Sequence, residues 1–351
     1  MVRVMDNHFE ADGEPVLTYC LRYESGIELT VTNLGAAVVA LRLPDGKPGA
    51  DILLGYENLR QQLEPGPMFG ATLGRYAGKI CRGVCEIGGT SIQLSRSHGE
   101  DHAHGGIRGF DKRVFTLVRA EENAVTFRYT SLDGEEGYPG TMITDVTYAL
   151  LDEHTLELRW EAVCDRATVA GLSNHMYFNL GFDPAGDVSD HLLQIDAPWV
   201  AALEEDGRPA GRLISVEGDA LDLRTARRIG IQLERGHPQM ARSGGWDLDY
   251  VFARTPGCVR LTCPETGRSL QMETAEACVH LYVADFGTMR YPGKNGALYM
   301  GRCGVCLEPM YISDCVHSGL GPSPILLPSV TRRSSTRYTF AWETKEREGI
   351  T

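Results

Sequence analysis

Two short segments of the sequence carry a histidine and a glutamate in settings that suit acid–base chemistry. His175 lies in NHMYFNL (174–180), which brings amide, imidazole and aromatic groups together and follows the strand-like run LELRWEAVCD (156–165). Glu308 lies in GVCLEPM (304–310), an apolar run in which an unpaired carboxylate is costly to bury. Burial can bring the pKa of either group close to neutrality, so the two suit general acid–base catalysis. A satisfied core histidine and a solvent-facing edge glutamate are the alternatives, and spacing alone leaves both open.

A third segment, HAHGG (102–106), contains two histidines separated by one residue. On a strand, His102 and His104 share one face, so a metal-binding pair is one interpretation. No third ligand follows at a fitting local spacing, and we therefore predict no metal and no cofactor. The glycines that follow, Gly105 and Gly106, indicate a tight turn or a close approach of the backbone to a ligand.

Two carboxylates lie two residues apart in GWDLDY (245–250). Asp247 and Asp249 share one side of a possible strand, and aromatic residues flank them. An aromatic ring covers the C–H face of a sugar while a carboxylate accepts hydrogen bonds from its hydroxyls, so the pattern is typical of sugar contact. Solvated acids in a turn are the competing interpretation.

Cys303 and Cys306 form a CxxC in the run that leads to Glu308. Side chains three residues apart on a strand point to opposite faces, which disfavours a shared zinc ion or a disulfide. We therefore interpret both thiols as core packing. The ten cysteines are irregularly spaced and no export signal is recognisable, which favours free thiols and a cytoplasmic location.

The elements that position these residues are strands from one end of the chain to the other. Apolar and polar residues alternate with a period of two in segments 125–130 and 156–161, which predicts strands with one buried face. The 40 glycines and 17 prolines punctuate the chain, and no long stripe of period 3.6 is present. We predict an all-β fold with one large antiparallel domain over residues 1–345 and a polar tail over residues 346–351.

The charge of the chain limits its partners. The formal net charge is −13, which argues against nucleic acid or an anionic membrane surface as the main partner. No apolar run approaches the ~20 residues of a membrane span. Charge occurs early in the first fifteen residues, so they do not resemble a signal peptide.

Taken in order, these segments resemble the aldose 1-epimerase (galactose mutarotase) family over nearly the whole chain. The matching runs are VTNLGAAVVALRLPDGKPGADILLGYENL, FGATLGRYAGKI, HAHGGIRGFDKRVF, DGEEGYPG, SNHMYFNLG, DHLLQIDA, GGWDLDYVF and GVCLEPMYISD, with RYTFAW as a terminal strand. The resemblance implies a galactose mutarotase-like β-supersandwich with an open sugar-binding cleft. It also implies that the protein interconverts the α and β anomers of a free hexose by acid–base opening and closure of the ring.

The resemblance assigns roles to five residues. Glu308 matches the general base that takes the anomeric hydroxyl proton, and His175 matches the general acid at the ring oxygen. His104 matches a second active-site histidine that binds sugar hydroxyls. Asp247 matches an aspartate that holds hydroxyls, and Tyr177 lines the same pocket.

The chain departs from the family pattern at positions that touch substrate. Where the family has Asn-Arg this chain has Gly78 and Lys79, and a family Gln becomes His280. The family Glu-Pro-Gln becomes Glu-Pro-Met at Met310, and a following Pro becomes Ser313. Lys79 and His280 are therefore expected to contact sugar hydroxyls in place of the Arg and the Gln. We expect mutarotase chemistry on an aldose that need not be galactose.

Two other functions remain open on the sequence. One is a noncatalytic sugar-binding protein of the same fold, which would have no need for both Glu308 and His175. The other is a mutarotase for hexose 6-phosphates, for which Arg75 and Lys79 are the local cationic candidates. The expected partner is a monosaccharide, with the protein a monomer or a homodimer.

Overall fold

The computed structural model describes residues 2–23, 26–286 and 292–343. The polar tail predicted for residues 346–351 lies outside the described residues. Among the described helices, none is long and apolar enough to cross a membrane.

The N-terminal part of the chain builds one sheet in simple chain order and then several short strands. The sheet consists of β1 (Arg3–Ala11), β2 (Glu14–Arg22), β3 (Glu28–Thr32) and β4 (Val38–Arg42). The short strands are β5 (Thr72–Leu73), β6 (Lys79–Ile80), β7 (Val84–Ile87), β8 (Thr90–Gln93) and β9 (His102–Ala103).

The middle of the chain supplies strands to two larger sheets. They are β10 (Thr116–Glu121), β11 (Ala124–Ser131), β12 (Met142–Leu150), β13 (Thr155–Cys164), β14 (Thr168–Val169), β15 (Ser173–Asn174), β16 (Tyr177–Phe178), β17 (Leu192–Ile195), β18 (Trp199–Leu203), β19 (Pro209–Ser215) and β20 (Arg227–Arg228). Two short helices follow, α1 (Ile229–Arg235) and α2 (Pro238–Ser243).

The C-terminal part completes both sheets. It contains β21 (Asp247–Val251), β22 (Gly257–Cys263), β23 (Arg268–Thr274), β24 (Cys278–Asp285), β25 (Arg302–Met310), the helix α3 (Cys315–Ser318), β26 (Ile325–Leu326) and β27 (Arg332–Ala341). Single 3-10 turns lie at Leu59–Leu63, Cys81–Gly83, Phe110–Lys112, Glu135–Gly137 and Lys294–Gly296.

The two large sheets are antiparallel and non-sequential in order. The nine-stranded sheet runs β10-β11-β12-β13-β27-β23-β22-β17-β20, and the six-stranded sheet runs β16-β25-β24-β21-β18-β19. One hydrophobic cluster contains Phe127 and Trp160 from the first sheet together with Leu281 and Leu307 from the second. The two sheets therefore form a sandwich around a common core, and the predicted all-β fold is confirmed.

The predicted alternation places side chains on the two faces as expected, with one exception. Val125 and Phe127 are fully buried in β11, whereas Arg128, the residue after Phe127, is exposed. Glu157, predicted on the polar face of β13, is only 6% exposed. It lies directly opposite Arg337 of β27, and their side chains form an ion pair of 3.0 Å, which compensates its burial.

The six-stranded sheet positions the residues predicted to do chemistry. Strands β21, β24 and β25 are adjacent, and in their register Asp249 lies opposite His280, which lies opposite Glu308. Because side chains alternate along a strand, Leu281 and Leu307 enter the core while His280 and Glu308 lie on the opposite face. That face forms the floor of a cleft.

Candidate active site

A cleft of about 950 Å³ lies over this face of the six-stranded sheet. Its volume is near the upper end of the ~300–1,000 Å³ typical of small-molecule sites. The structure brings six of the seven predicted site residues to its wall: His104, His175, Tyr177, Asp247, His280 and Glu308. The seventh, Lys79, lines an adjoining recess of about 450 Å³ that shares His104, Asp247 and His280 with the cleft.

Glu308 is a buried carboxylate on β25. Its side chain is 1% exposed, so the alternative of a solvent-facing edge glutamate is wrong. Burial raises the pKa of Glu308 to about 7, although the positive charge of His280 opposes that rise. The Oε2 atom is buried and has no hydrogen-bond partner among the described residues. A buried carboxylate with an unused oxygen and a pKa near neutrality is suited to accept a proton.

His175 lies between β15 and β16, beside Glu308. The backbone holds it in place, because its N–H donates to the Ala71 carbonyl at 2.9 Å. Its Nε2 is 3.5 Å from the Glu308 Oε1 atom, and its ring stacks on Tyr177 with the centroids 4.8 Å apart. Burial lowers the pKa of His175 well below its usual value, and the nearby His104 and His280 add to that effect. His175 is therefore a neutral imidazole.

The contacts of His175 indicate which ring nitrogen carries the proton. The Sγ atom of Cys306 is 3.2 Å from Nδ1, and burial raises the pKa of that thiol, which keeps it protonated. Its single S–H proton can go to this nitrogen or to Oε1 of Glu308, 3.7 Å from Sγ, so this contact alone does not fix the tautomer. On the other side, the Glu308 carboxylate can only accept, which favours a proton on Nε2. The contact with Glu308 thus favours the tautomer with Nε2–H facing the cleft, in which Nδ1 is free to accept from the Cys306 S–H.

His104 follows β9 in a left-handed backbone conformation, with φ +49°. Its Nδ1 accepts a hydrogen bond from the Gly78 N–H at 3.5 Å, so Nε2 carries the proton in the neutral ring. Burial lowers the pKa of His104 to about 4, and the charge of His280 lowers it further. The close backbone approach predicted at Gly105 is made to another segment of this chain. A Cβ at Gly105 would lie only 1.6 Å from the Gly74 carbonyl oxygen.

His102 does not form a metal-binding pair with His104. It is fully buried, and its Nδ1 lies 2.7 Å from the Ser95 carbonyl oxygen while its Nε2 lies 2.6 Å from the Tyr138 hydroxyl. Both ring nitrogens are thus used in the interior. His102 is a satisfied core histidine that anchors the segment from which His104 extends.

Asp247 and Asp249 both reach His280 across the boundary between β21 and β24. Asp247 Oδ1 is 2.8 Å from Nε2 of His280, and Asp249 Oδ1 is 2.6 Å from Nδ1. Burial alone would raise the pKa of Asp247, but the hydrogen bond and charge of His280 lower it overall. Both ring nitrogens of His280 therefore already have a carboxylate partner, and its contact with a sugar hydroxyl stays a prediction.

The departures at Gly78, Met310 and Ser313 occupy one corner of the recess. Gly78 has φ +88°, and a Cβ there would lie 2.7 Å from Cε of Met310 and 2.9 Å from Oγ of Ser313. Met310 and Ser313 thus fill space next to the missing side chain. These three departures form a single packed unit, so one cannot be reversed without disturbing the others.

Arg75, one of the two candidates for binding a phosphate, does not face the cleft. It is 1% exposed, and its guanidinium donates to the hydroxyl and carbonyl oxygens of Ser131, each at 2.8 Å, and to the Gly140 carbonyl at 2.9 Å. Its role is to hold the surrounding loops. The cationic side chains that line the cleft are instead Arg235 and Arg302, which the sequence analysis missed.

Cys306 is a third residue of the site that the sequence alone did not identify. All ten cysteines are free thiols, and Cys303 and Cys306 are both buried, as predicted. Cys306 nevertheless contacts both His175 and Glu308, with 3.7 Å between its Sγ and Oε1 of the glutamate. The signal was present in the sequence, because residues two apart on a strand share a face and Cys306 lies two residues before Glu308.

His175, Cys306 and Glu308 also form a set of potential metal ligands among the described residues. One ligand atom from each lies within 4.8 Å of the others. Metal binding requires a thiolate, whereas burial raises the pKa of Cys306 and keeps it as a thiol. These three side chains are therefore better suited to proton transfer than to binding a metal ion.

Known proteins resemble this chain in sequence and in fold. Residues 18–339 match the profile of the family described as aldose 1-epimerase. The galactose mutarotase of Homo sapiens is 33% identical over 321 residues, which cover 90% of this chain and 91% of that protein. The aldose 1-epimerase of Haemophilus influenzae is 31% identical over 308 residues, with 86% and 88% covered. The crystal structure of a galactose 1-epimerase from Lactobacillus acidophilus superimposes with a TM-score of 0.85 at 24% identity, covering 97% of this chain and 99% of that one.

Proposed function

We propose that this chain uses Glu308 as its general base and His175 as its general acid. The chain belongs to the aldose 1-epimerase family and is an isomerase that interconverts the α and β anomers of an aldose. The observation that carries the assignment is the contact of 3.5 Å between Glu308 Oε1 and His175 Nε2. The anomeric oxygen and the ring oxygen of a cyclic sugar are bonded to the same carbon. The base for one and the acid for the other must therefore lie close together.

Glu308 begins the reaction. Its carboxylate accepts the proton of the anomeric hydroxyl, so the anomeric carbon becomes a carbonyl as its bond to the ring oxygen breaks. The raised pKa, about 7, makes this carboxylate a stronger base than an exposed glutamate while leaving much of it ionised at neutral pH. In the closing step the protonated Glu308 returns its proton to the anomeric oxygen.

His175 acts on the ring oxygen. As the carbon–oxygen bond breaks, charge develops on that oxygen, and Nε2–H donates to it and transfers its proton. A neutral imidazole can polarise an oxygen in this way without first gaining a proton. The Cys306 S–H on Nδ1 stabilises the ring as Nε2 loses its proton. In the open-chain form the bond from the first to the second carbon rotates, and the former ring oxygen returns its proton to Nε2 of His175 as it attacks the other face of the carbonyl.

The remaining residues hold the sugar. His104 has its Nε2–H available for a hydroxyl or the ring oxygen, and Asp247 is an ionised acceptor for hydroxyl protons. Tyr177 offers an apolar ring next to His175, which suits the C–H face of a sugar. We propose that Lys79, in the adjoining recess, contacts a hydroxyl as a single point donor, whereas an arginine would offer a planar fork.

We propose a free aldose as the substrate, with a preference that differs from that of a galactose enzyme. Gly78 offers no side-chain donor or acceptor, and Met310 and Ser313 pack into the space beside it. A site that lacks a partner for one hydroxyl discriminates less strongly at that hydroxyl.

We further propose that the protein is cytoplasmic and acts as a monomer or a homodimer. Ten free thiols support a reducing compartment.

The function is tested by measuring anomer exchange of free aldoses and of hexose 6-phosphates by polarimetry and by NMR. We expect catalysis on the free sugars and a loss of about 10²–10⁴ in rate for His175→Gln, the range of a positioned acid–base group. The phosphorylated sugars are the comparison because Arg235 and Arg302 line the cleft. Binding of sugars without any acceleration of exchange would contradict the proposal and indicate a sugar-binding protein.

A further inference from the structure

His280 is held between two carboxylates in the floor of the cleft. Its Nε2 is 2.8 Å from Asp247 and its Nδ1 is 2.6 Å from Asp249, and its side chain is 17% exposed. Asp249 is fixed on its other oxygen, which accepts the Ser313 N–H at 2.7 Å. Ionised carboxylates only accept hydrogen bonds, so both ring nitrogens of His280 must donate. A ring that donates from both nitrogens is an imidazolium cation.

The register of the sheet places this cation next to the catalytic carboxylate. Asp249 of β21, His280 of β24 and Glu308 of β25 are directly opposed across three adjacent strands. Directly opposed side chains on one face have Cβ atoms about 5 Å apart. The cation therefore lies between one structural carboxylate and Glu308, in a region from which most solvent is excluded.

We propose that His280 is a positioning residue whose fixed positive charge keeps Glu308 in the carboxylate form and holds Asp247 in place for the sugar. The inference rests on the proposed role of Glu308 as base. A glutamine at this position, the residue of the family pattern, would hold hydroxyls or Asp247 by hydrogen bonds but would bring no charge. This chain thus adds an electrostatic function at a position otherwise suited to binding.

The other charged and titratable groups around the cleft do not replace this charge. They are Lys79, His104, His175, Tyr177, Arg235, Asp247, Asp249, Tyr282, Arg302 and Cys306. Of the cations, His280 has the largest effect on the pKa of Glu308. The histidines other than His280 are neutral, because burial lowers the pKa of His104 and of His175. Both aspartates raise the pKa of Glu308, whereas His280 lowers it. Burial alone would lower the pKa of His280, but Asp247 and Asp249 raise it well above its usual value.

The experiment compares the pH dependence of kcat/KM for His280→Gln and His280→Lys with that of the unmodified protein. Without the cation, Glu308 holds its proton to higher pH, so we expect the acid limb of His280→Gln to move up by about one pH unit or more. The lysine variant keeps a positive charge, and its acid limb should stay close to that of the unmodified protein. His317→Gln is the matched control, because His317 also pairs with an aspartate (Asp314, 2.6 Å) but lies outside the cleft.

A ¹⁵N NMR spectrum of the unmodified protein provides a second readout that does not depend on the activity of any variant. We expect the signals of His280, assigned by their loss in His280→Lys, to report two protonated ring nitrogens up to at least pH 8. A singly protonated His280 at neutral pH would overturn the inference. An acid limb that does not move in His280→Gln would also overturn it. If KM alone rises in that variant, His280 only contacts the sugar and does not tune Glu308. Full activity of Glu308→Gln would instead remove the proposed base, so the two failures are distinguishable.

Discussion

Replacing Cys306 with alanine should slow the reaction without weakening sugar binding. The Cys306 Sγ atom is 3.2 Å from Nδ1 of His175, and we expect its S–H to donate to that nitrogen and so to stabilise the tautomer that carries its proton on Nε2. Alanine removes that donor and leaves Nδ1 buried without a partner, because His175 is only 9% exposed. The other tautomer, which has no proton to give to the ring oxygen, then becomes accessible.

The size of the effect follows from the strength of this contact. A hydrogen bond between neutral groups contributes a net ~0.5–1.5 kcal/mol, and a thiol is a weak donor. Taking ~1 kcal/mol, we expect kcat to fall about fivefold. Nδ1 faces the protein and Nε2 faces the cleft, so KM should change little.

The assay is anomer exchange followed by polarimetry at low buffer concentration, with the uncatalysed rate subtracted. Cys306→Ser retains a donor and should recover most of the lost kcat. Cys303→Ala, which removes a second buried thiol of the same strand, is the matched control and should leave kcat unchanged. Equal kcat values for Cys306→Ala and the unmodified protein, or no recovery in Cys306→Ser, would refute the tautomer argument.

Three further predictions test other parts of the site. Because burial raises the pKa of Glu308 to about 7 and the base must be ionised, kcat/KM should fall about tenfold per pH unit below pH 7; a profile that stays flat down to pH 5 would contradict this. Gly78→Asn should destabilise the protein by about 1–3 kcal/mol through overpacking against Met310, and adding Met310→Ala should restore part of the loss; thermal unfolding that shows no coupling between the two changes would refute the packing argument. Treatment with EDTA should leave activity unchanged, and a loss that zinc reverses would instead identify His175, Cys306 and Glu308 as metal ligands.

The strands could be predicted because their signal is local, whereas the two catalytic candidates came from the family resemblance. Alternation of apolar and polar residues fixes which side of a strand is buried, and it did so correctly for Val125 and Phe127. Family resemblance identified Glu308 and His175 as candidates, although nothing in the sequence could show that their side chains lie 3.5 Å apart. That distance depends on how the segment between β15 and β16 packs against β25.

The role of His280 could not be predicted because its partners are distant in the sequence. Asp249 lies 31 residues away and reaches His280 only through the register of β21 with β24. Arg75 was misassigned for a similar reason. A buried arginine is satisfied by carbonyl groups of loops that are brought together only in the folded chain, such as that of Gly140. The contact of Cys306 with Glu308 could have been inferred from the sequence, because residues two apart on a strand lie on the same face.

The most direct test of the central claim is the rate of anomer exchange catalysed by Glu308→Gln. Glutamine preserves the shape of the side chain but cannot accept the anomeric proton, and Oε2 has no partner among the described residues that the change would disturb. We expect a folded protein, with the thermal midpoint close to that of the unmodified chain, whose kcat is lower by about 10²–10⁴. A glutamine variant that exchanges anomers at nearly the rate of the unmodified protein would show that Glu308 is not the base.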